Sequence, residues 1–239
     1  MENIEKLQKI IDESRNIVFF GGAGVSTASN IPDFRSSDGL FQRKYPYPAE
    51  TMLSKDFFKG HKEEFYDFYV NNMIYPDARP NYAHSGLAAL EKKGKLKAVI
   101  TQNIDGLHQE AGSINVLELH GSIHRNYCTK CREFYPLDYV LKNLPVPLCT
   151  CGGVVKPDVV LYGEGLDTDT LDNALKYISE AHTLIIGGTS LSVYPAASLV
   201  NYFKGTNLIL INKESTAMDR NAGLLINDDI DKVFKALKI

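Results

Sequence analysis

The sequence of 239 residues lacks tryptophan, has only four cysteines, and shows no strong excess of either charge. Lysine and arginine sum to 26 and aspartate and glutamate to 29, so the formal net charge is −3. A slightly negative net charge does not attract nucleic acid, so only a local basic patch could bind it. We expect no direct nucleic-acid binding. The cysteines are too few for a disulfide scaffold of this length, and all lie within 128–151, which suggests one local site.

Long hydrophobic runs are also lacking. No apolar run approaches the ~18 residues that a membrane-spanning helix needs, and the longest are 17–20 and 208–211. The charged segment 1–6 has no apolar core of a signal peptide. Hydrophobic residues make up 44% of the chain and charged residues 23%, which is typical of a globular protein. We therefore expect a cytoplasmic protein with no membrane partner, where clustered cysteines favour a metal site over disulfides.

Short apolar segments alternate with amphipathic segments along the chain. They predict strands at 17–20, 98–101, 116–119, 159–161, 183–186 and 208–211. Helices are predicted at 3–14, 81–94, 169–180, 195–205 and around 230–237, and residues 32–80 look irregular to helical. Fully apolar strands between helices indicate an α/β fold with a parallel sheet covered on both faces. In such folds ligands bind beyond the carboxyl ends of the strands.

Small or polar residues follow these predicted strands. Because the carboxyl ends of parallel strands share one edge of the sheet, we predict that five groups distant in sequence meet in one crevice. They are Gly22-Ala23-Gly24, Gln102-Asn103-Ile104-Asp105, His120, Gly188-Thr189-Ser190 and Asn212.

The glycine-rich turn after the first strand suits a nucleotide. Glycines there let the backbone approach a pyrophosphate at a helix N-terminus. Thr27 replaces the third glycine of the dinucleotide fingerprint, so an ordinary tight turn stays an alternative for this motif. A P-loop is excluded, because no lysine in the chain precedes serine or threonine. Next to this turn, Phe34 between Asp33 and Arg35 fits either a lid over a bound ring or a loop anchored by its phenyl group.

Among the six histidines, His120 stands apart because it follows a strand at the predicted crevice. An imidazole titrates near neutral pH, so His120 suits a general base. We interpret the other five as structural, namely His61, His84, His108, His124 and His182. The polar run 102–105 also fits ordinary turn chemistry, but its position at a strand end favours ligand binding.

The four cysteines form two close pairs, Cys128 with Cys131 and Cys149 with Cys151. Two such pairs with a spacer of this length suit a tetrahedral Zn²⁺ site, with 152–153 supplying a tight glycine turn. The second pair is one residue closer than the usual C-x2-C, and disulfides or free thiols are the alternative. Four thiolate ligands predict a closed structural site rather than a catalytic zinc ion.

Taken together, these motifs resemble the sirtuin family of NAD-dependent protein deacylases. The matching segments are 22–36, 101–108, 118–122, the cysteine pairs, 156–164, 187–197 and 209–212, in the family's order. One departure is Asn30, which replaces a common glycine but tolerates a positive φ. The resemblance is to a minimal bacterial-type catalytic core. It implies a Rossmann-like large domain from 1–35, 81–121 and 158–239, and a smaller domain from the insertions 36–80 and 122–157.

The resemblance also implies a reaction in which NAD is consumed as a co-substrate. The acetyl group of an acetylated lysine in a protein or peptide passes to ADP-ribose, which releases nicotinamide and O-acetyl-ADP-ribose. His120 is implied as the general base, and Asn103 and Asp105 as the residues that orient the ribose and nicotinamide. Implied cofactor contacts are Gly22, Ala23, Gly24, Thr27, Asp33, Phe34, Arg35, Gln102, Asn103, Ile104, Asp105, His120, Gly188, Thr189, Ser190, Asn212, Lys213 and Ile230. Implied substrate contacts are Val160, Leu161, Tyr162, Gly163, Ser192, Val193 and Tyr194.

The acyl group is expected to be uncharged. Family members that favour succinyl- or malonyl-lysine have a Tyr-x-x-Arg pair, whereas here Tyr66 is followed by Tyr69 at the arginine position, with Asp67 between them. Without a guanidinium a buried acyl carboxylate would be unpaired, which is costly. Two other functions remain open, an NAD-dependent dehydrogenase and a non-enzymatic NAD or peptide sensor. The dehydrogenase leaves the peptide segments unexplained, and His120 argues against the sensor.

Overall fold

The computed structural model describes residues 2–36 and 39–239. Residues 1, 37 and 38, which fall within the predicted domain ranges, lie outside the described residues. The strands are β1 (Ile17–Gly21), β2 (Leu96–Thr101), β3 (Val116–Glu118), β4 (Gly121–Cys128), β5 (Phe134–Pro136), β6 (Val155–Val159), β7 (Thr183–Gly187), β8 (Asn207–Ile211) and β9 (Leu224–Ile226). The α-helices are α1 (Glu2–Glu13), α2 (Ala49–Met52), α3 (Lys55–Gly60), α4 (Lys62–Met73), α5 (Tyr82–Lys92), α6 (Leu107–Glu110), α7 (Leu137–Lys142), α8 (Thr168–Glu180) and α9 (Ile230–Ala236).

Six of these strands form a parallel sheet in the order β3-β2-β1-β7-β8-β9. The chain runs outward in one direction from β1 and in the other from β7, so the strand order reverses between these two neighbours. Their last residues are in register, with Gly21 opposite Gly187. Ligands of doubly wound sheets bind at such a reversal point, at the carboxyl edge. The Rossmann-like parallel sheet expected from the sequence is confirmed.

Both faces of this sheet are buried, which explains why its strands are apolar throughout. On β1, Phe19 faces the core formed with α1, α5 and α9. Its neighbours Val18 and Phe20 face the opposite core, formed with α8 and the 3-10 helix Ala196–Tyr202. All three side chains are fully buried. Burial of a side chain of this size stabilises the fold by roughly 1.5–3 kcal/mol, so the two cores fix the sheet that carries the site.

A second, antiparallel sheet has the order β5-β4-β6 and a core of its own. That core combines aromatic residues of the helical segment, such as Phe65 and Tyr69, with residues of the sheet, such as Val155 and Cys128. Two chain segments far apart in sequence therefore share one apolar cluster. The exact domain bounds given above stay a prediction.

Several elements differ from the sequence-based expectation. The strand predicted at 159–161 is wrong, because the strand is β6, Val155–Val159, and it pairs antiparallel with β4. Its burial alternates along the strand, as in a half-buried sheet, and Pro157 obscures that pattern in the sequence. The helix predicted at 195–205 is the shorter 3-10 helix Ala196–Tyr202. The strands β4, β5 and β9 and the helices α6 and α7 were not predicted as separate elements.

Two asparagines stabilise turns of the backbone, and of these Asn30 was expected from the sequence. Asn81 caps α5, where its side-chain oxygen accepts the N–H groups of Ala83 and His84. Its side-chain nitrogen also donates to the carbonyl of Val25, at 2.8 Å, and so ties α5 to the turn after β1. Asn30 adopts a left-handed conformation with φ of 64°, which asparagine tolerates better than most residues.

Lys95 closes the end of α1 from the neighbouring strand. The last turn of α1 contains no basic residue, although its final carbonyl groups have no partner within the helix. The ammonium of Lys95 donates to the carbonyl oxygens of Ile11 at 2.9 Å, Asp12 at 2.7 Å and Ser14 at 3.3 Å. A cation at a helix C-terminus also interacts favourably with the helix dipole. This contact fixes α1 against the start of β2.

A search of the described residues finds no helix that combines the length and the apolar character needed to cross a membrane.

Candidate active site

A cleft of about 900 Å³ opens at the carboxyl edge of the parallel sheet. Its lining includes members of all five groups that follow the predicted strands, namely Ala23 and Gly24, residues 102–105, His120, residues 188–190 and Asn212. The predicted convergence is therefore confirmed. Thr27, Asp33, Phe34, Arg35, Lys213 and Ile230 line the same cleft. Gly22 and Ser192 are not part of the lining.

The glycines after β1 allow two loops to touch at the point where the strand order reverses. The N–H of Gly24 donates to the carbonyl of Gly188 at 2.8 Å. A Cβ atom on Gly24 would lie 2.8 Å from the Cα of Gly188, and one on Gly22 would lie 2.9 Å from the Cβ of Thr189. Neither position has room for a side chain. The glycine motif therefore makes the tight turn that the sequence left open as an alternative, and it also places Ala23 and Gly24 at the cleft.

His120 is held in the state that a general base requires. Its Nδ1 lies 3.0 Å from the carbonyl oxygen of Gln102. When Nδ1 donates to this carbonyl, Nε2 of the neutral ring keeps a free lone pair. Burial lowers the pKa of His120 below its ordinary value and outweighs the opposing effect of this hydrogen bond. The imidazole is consequently neutral at pH 7 and able to accept a proton.

Ser26, which was not among the predicted site residues, organises the polar loop at 102–105. Ser26 donates from its hydroxyl to Oδ2 of Asp105 at 2.6 Å and accepts from Nδ2 of Asn103 at 3.0 Å. The N–H of Leu107 donates to the other carboxylate oxygen of Asp105 at 3.0 Å. Burial raises the pKa of Asp105, and these hydrogen bonds oppose that rise. Ser26 thus aligns the two residues that were predicted beside His120.

Two side-chain amides in the cleft point to an oxygen-rich ligand. Nε2 of Gln102 and Nδ2 of Asn212 are buried, line the cleft, and have no hydrogen-bond partner among the described residues. The other side-chain atom of Asn212, Oδ1, accepts the N–H of Thr189 at 3.0 Å, which fixes the orientation of the amide. A buried N–H group without an acceptor costs roughly 1–3 kcal/mol. A nucleotide with ribose hydroxyl and phosphate oxygens would supply such acceptors, so the residues present fit NAD.

The loop that carries Phe34 is fixed by its own turn. Oδ1 of Asp33 accepts the N–H groups of Arg35 at 3.0 Å and Ser36 at 2.8 Å. The rings of Phe34 and Phe41 pack with centroids 5.4 Å apart, and the guanidinium of Arg35 lies 5.4 Å from the Phe41 ring centre. Phe34 is therefore anchored by a second aromatic ring and also lines the cleft.

At the far end of the cleft an ion pair joins the loops after β8 and before α9. Nζ of Lys213 lies 2.7 Å from Oδ2 of Asp229. Ile230, the first residue of α9, follows directly and is buried.

Of the predicted substrate residues, Val160–Gly163, Val193 and Tyr194 line the cleft. Ser192 instead shares a hydrogen bond with Ser190, 2.7 Å between their hydroxyl oxygens. The side chain of Tyr194 is 74% exposed and that of Tyr162 is 42% exposed, so both mark the mouth of the cleft. The backbone of Tyr162 is fixed on one side, because its carbonyl accepts the N–H of Lys55 and its N–H donates to the carbonyl of Leu53.

The tyrosine pair used to predict acyl preference lies behind the cleft wall. Tyr66 and Tyr69 are fully buried and are absent from the cleft lining. The hydroxyl of Tyr66 donates to the carbonyl of Val155. No guanidinium stands at either position, so the expectation of an uncharged acyl group stays a prediction.

The four cysteines are placed to bind one metal ion. Their sulfur atoms all lie within 4.8 Å of one another, and all four are free thiols. The N–H groups of Lys130 and Cys131 point at the sulfur of Cys128, and the Tyr135 hydroxyl donates to that of Cys149 at 3.1 Å. Such bonds stabilise thiolates, and four sulfur ligands suit Zn²⁺. No two of these sulfurs are bonded to each other, so the structure does not support the disulfide alternative. None of the four lines the cleft, which fits a structural zinc site.

Comparisons with known proteins agree with this geometry. The sequence model of the Sir2 family matches residues 22–195. A protein of Clostridium acetobutylicum named NAD-dependent protein deacetylase is 60% identical over 99% of this chain and 98% of its own length. One with the same name from Clostridium perfringens is 59% identical over 97% of each chain.

Solved structures are similar over nearly the whole length as well. A structure described as Sir2 bound to acetylated peptide has a TM-score of 0.88 and 40% identity, and the match covers 97% of this chain and 95% of that one. Another, described as Sir2 with a p53 peptide and NAD+, has a TM-score of 0.87 at 40% identity with the same coverage.

Proposed function

The chain belongs to the Sir2 family, and from this premise we propose that it is an NAD-dependent protein-lysine deacetylase. Its substrates would be proteins or peptides with acetylated lysine, and its products nicotinamide, the free lysine and O-acetyl-ADP-ribose. The observation that carries the proposal is the neutral His120 in a cleft where the buried amides of Gln102 and Asn212 lack partners among the described residues.

The roles proposed for the residues follow from their positions. Gln102 and Asn212 would donate their free N–H groups to the oxygens of NAD. Asn103 and Asp105, which Ser26 aligns, would orient the ribose and the nicotinamide. When bound, NAD supplies an electrophilic ribose carbon with nicotinamide as its leaving group. The task of His120 is to accept a ribose hydroxyl proton at Nε2, which lets that oxygen react within the bound complex.

The substrate would bind at the mouth of the cleft between 160–163 and 193–194. Both segments belong to the lining, and an extended peptide between them would bind chiefly through main-chain hydrogen bonds. Binding of this kind selects the acyl-lysine more strongly than the flanking sequence. The cysteine cluster would hold one zinc ion outside the cleft, with a structural role.

Two further expectations belong to this proposal. The chain would divide into a large domain of 1–35, 81–121 and 158–239 and a small one of 36–80 and 122–157, and the shared core of the two insertions supports this division. The location would be cytoplasmic, because a cluster of four free thiols suits a reducing compartment.

One assay tests the proposal against its alternatives. The protein is incubated with NAD and an acetyl-lysine peptide. Nicotinamide, NADH and the deacetylated peptide are then quantified by chromatography and mass spectrometry. We expect equimolar nicotinamide and deacetylated peptide. Formation of NADH would indicate a dehydrogenase, and binding without turnover would indicate a sensor.

His120→Ala should lower peptide-dependent nicotinamide release by at least about a hundredfold, as expected for loss of a general base. The matched control is His182→Ala, since His182 is exposed, lies outside the cleft, and its ring bonds only to Thr206 among the described residues. The control should retain wild-type rates. Undiminished turnover in His120→Ala would remove the role assigned to that residue.

A further inference from the structure

Arg125 pairs with two carboxylates, and one of these two pairs joins the two sheets. It lies on β4, and its Nε donates to Oδ2 of Asp158 on β6 at 2.9 Å. Its Nη1 donates to Oε2 of Glu118 at 2.6 Å. Glu118 is the last residue of β3 in the parallel sheet, and its side chain is only 6% exposed. The ion pair therefore links the end of the parallel sheet to the antiparallel sheet.

This link spans the turn that presents His120. The chain passes from Glu118 through His120 into Gly121, the first residue of β4. Gly121 has φ of 76°, and a Cβ atom there would lie 1.7 Å from the carbonyl oxygen of Asp158. The N–H of Val160 donates to the carbonyl of His120 at 3.0 Å. The turn therefore packs closely against the end of β6. Arg125, which follows the turn, bonds to Glu118, which precedes it.

Glu118 also acts electrostatically on the polar loop. Burial is the main cause of the raised pKa of Asp105, and the negative charge of Glu118 adds to it. Arg125 offsets that charge from the side away from the cleft, since neither Arg125 nor Glu118 belongs to the lining. Removal of Arg125 leaves the nearly buried carboxylate of Glu118 without its counter-charge. This costs far more stability than the loss of an exposed ion pair.

We propose that Arg125 is a positioning residue, which holds Glu118 in an ion pair behind the cleft, fixes the turn that carries His120, and balances the negative charge beside Asp105. The inference rests on the proposed function for its catalytic consequence. It concerns this chain's own ion pair, and Arg125 would not touch the substrate or NAD.

The sign of the expected pH effect follows from the groups that surround the site. Asp105 faces the Ser26 hydroxyl, the Leu107 N–H, His124 and Glu118, and His120 faces the Gln102 carbonyl. Without Arg125 the Glu118 charge is unbalanced, and it increases the proton affinity of Asp105. Asp105 acts as a carboxylate, so activity should be lost at a higher pH on the acid side.

The experiment measures kcat/KM against pH for the wild type and four variants. In Arg125→Gln the acid limb of the kcat/KM profile should shift to higher pH by about half a unit to one pH unit, as expected for a charge behind a partly solvated pair. Arg125→Lys keeps the charge and should stay near the wild type. Glu118→Gln should move the limb down, and the double variant Glu118→Gln/Arg125→Gln should return it toward the wild type.

A second measurement does not depend on catalysis. In protein labelled with ¹³C at the aspartate carboxyl carbons, NMR titration follows Asp105, assigned by its loss in Asp105→Asn. The pKa of Asp105 should rise in Arg125→Gln and fall in Glu118→Gln. If the wild type released no nicotinamide but these shifts appeared, the proposed function would fail while the charge balance stood.

A purely structural role for Arg125 makes a different prediction. It would lower kcat/KM evenly at all pH values, with no movement of the acid limb and no return in the double variant. That pattern would overturn the inference, as would unchanged titration of Asp105 in both single variants. Should Arg125→Gln fail to fold, Glu118→Gln alone decides the question. In that variant both the acid limb of the pH profile and the pKa of Asp105 must move to lower pH.

Discussion

At the scale of single residues, the polar geometry of the site depends on Ser26. Ser26 is 1% exposed, and its hydroxyl bonds to both Asn103 and Asp105. In Ser26→Ala the Asn103 amide and one oxygen of Asp105 would lose their partner. Loss of a hydrogen bond to a charged group costs about 1.5–3 kcal/mol. We therefore expect kcat/KM to fall by roughly tenfold to a hundredfold.

The matched control for this prediction is Ser113→Ala. Ser113 is also buried, but its hydroxyl has no partner among the described residues and lies outside the cleft lining. Steady-state kinetics of the two variants should therefore separate, with Ser113→Ala close to the wild type. Equal rates for both alanine variants would show that Ser26 does not align the loop.

The sequence allowed His120 to be predicted as a site residue but not Ser26. His120 follows a strand of the sheet, so its position at the cleft could be inferred from the chain around it. Ser26 matters because the distant loop 102–105 folds against it, a contact of high sequence separation. The same limit applies to Tyr66 and Tyr69, whose positions behind the wall depend on the apolar core that they share with Val155. The only local indication was the position of Ser26, two residues after the glycine turn at 22–24.

At the scale of elements, α5 and α6 meet through two buried histidines. The rings of His84 and His108 lie with centroids 4.7 Å apart. Nε2 of His84 and both ring nitrogens of His108 have no partner among the described residues. Burial lowers the pKa of His84 to about 4 and that of His108 to about 3. Both are therefore neutral in the folded protein, as the structural interpretation of these histidines requires.

Such a pair makes the fold sensitive to acid. In the unfolded chain both groups bind protons below about pH 6.5, whereas the folded protein does not until near pH 4. Stability should therefore fall as pH drops through this window, by about 2 kcal/mol per histidine between pH 6.5 and 5. Urea unfolding at these two pH values measures the loss.

His108→Leu should show a smaller loss of stability between the same two pH values, because one of the two titrating groups is gone. His182→Gln serves as the control, since His182 is exposed and should leave the slope unchanged. A slope in His108→Leu equal to that of the wild type would contradict the assignment.

The elements themselves were predictable to an unequal degree. Strands that are apolar along their length, such as β1 and β8, were found from their hydrophobicity, because both faces of the sheet are buried. The strands β4, β5 and β9 were missed, and for β9 a run of three apolar residues does not by itself distinguish a strand from a helix. For β6 the alternation was present in the sequence, but Pro157 hid a strand whose pairing partner is β4.

At the scale of the whole molecule, the cysteine cluster belongs to the second core. Cys128 and Cys149 are part of the same apolar cluster as Phe65, Tyr66 and Val155. Zinc bound by the four thiolates would therefore stabilise this core directly, because metal binding is coupled to folding of the segment that supplies the ligands. The parallel sheet has its own cores and does not depend on the cluster.

Removal of the metal should unfold one part of the molecule before the other. After chelation we expect loss of near-UV circular dichroism from the tyrosines of the second core, early proteolysis within 123–161, and loss of activity. The helical signal of α1, α5 and α8 should persist. The control is chelator added to protein that has been saturated with excess zinc. A stripped protein that stayed folded, lost activity and regained it at once with zinc would indicate a catalytic metal instead.

The contact of Lys95 with the end of α1 has a consequence for the chemical reactivity of the surface. An amine reacts with acylating agents through a free lone pair, and the Lys95 nitrogen has three carbonyl oxygens around it. Its neighbours Lys92 and Lys93 are exposed and carry no such constraint. Acylation of Lys95 would therefore require the end of α1 to detach, so its extent of labelling reports how often that contact opens.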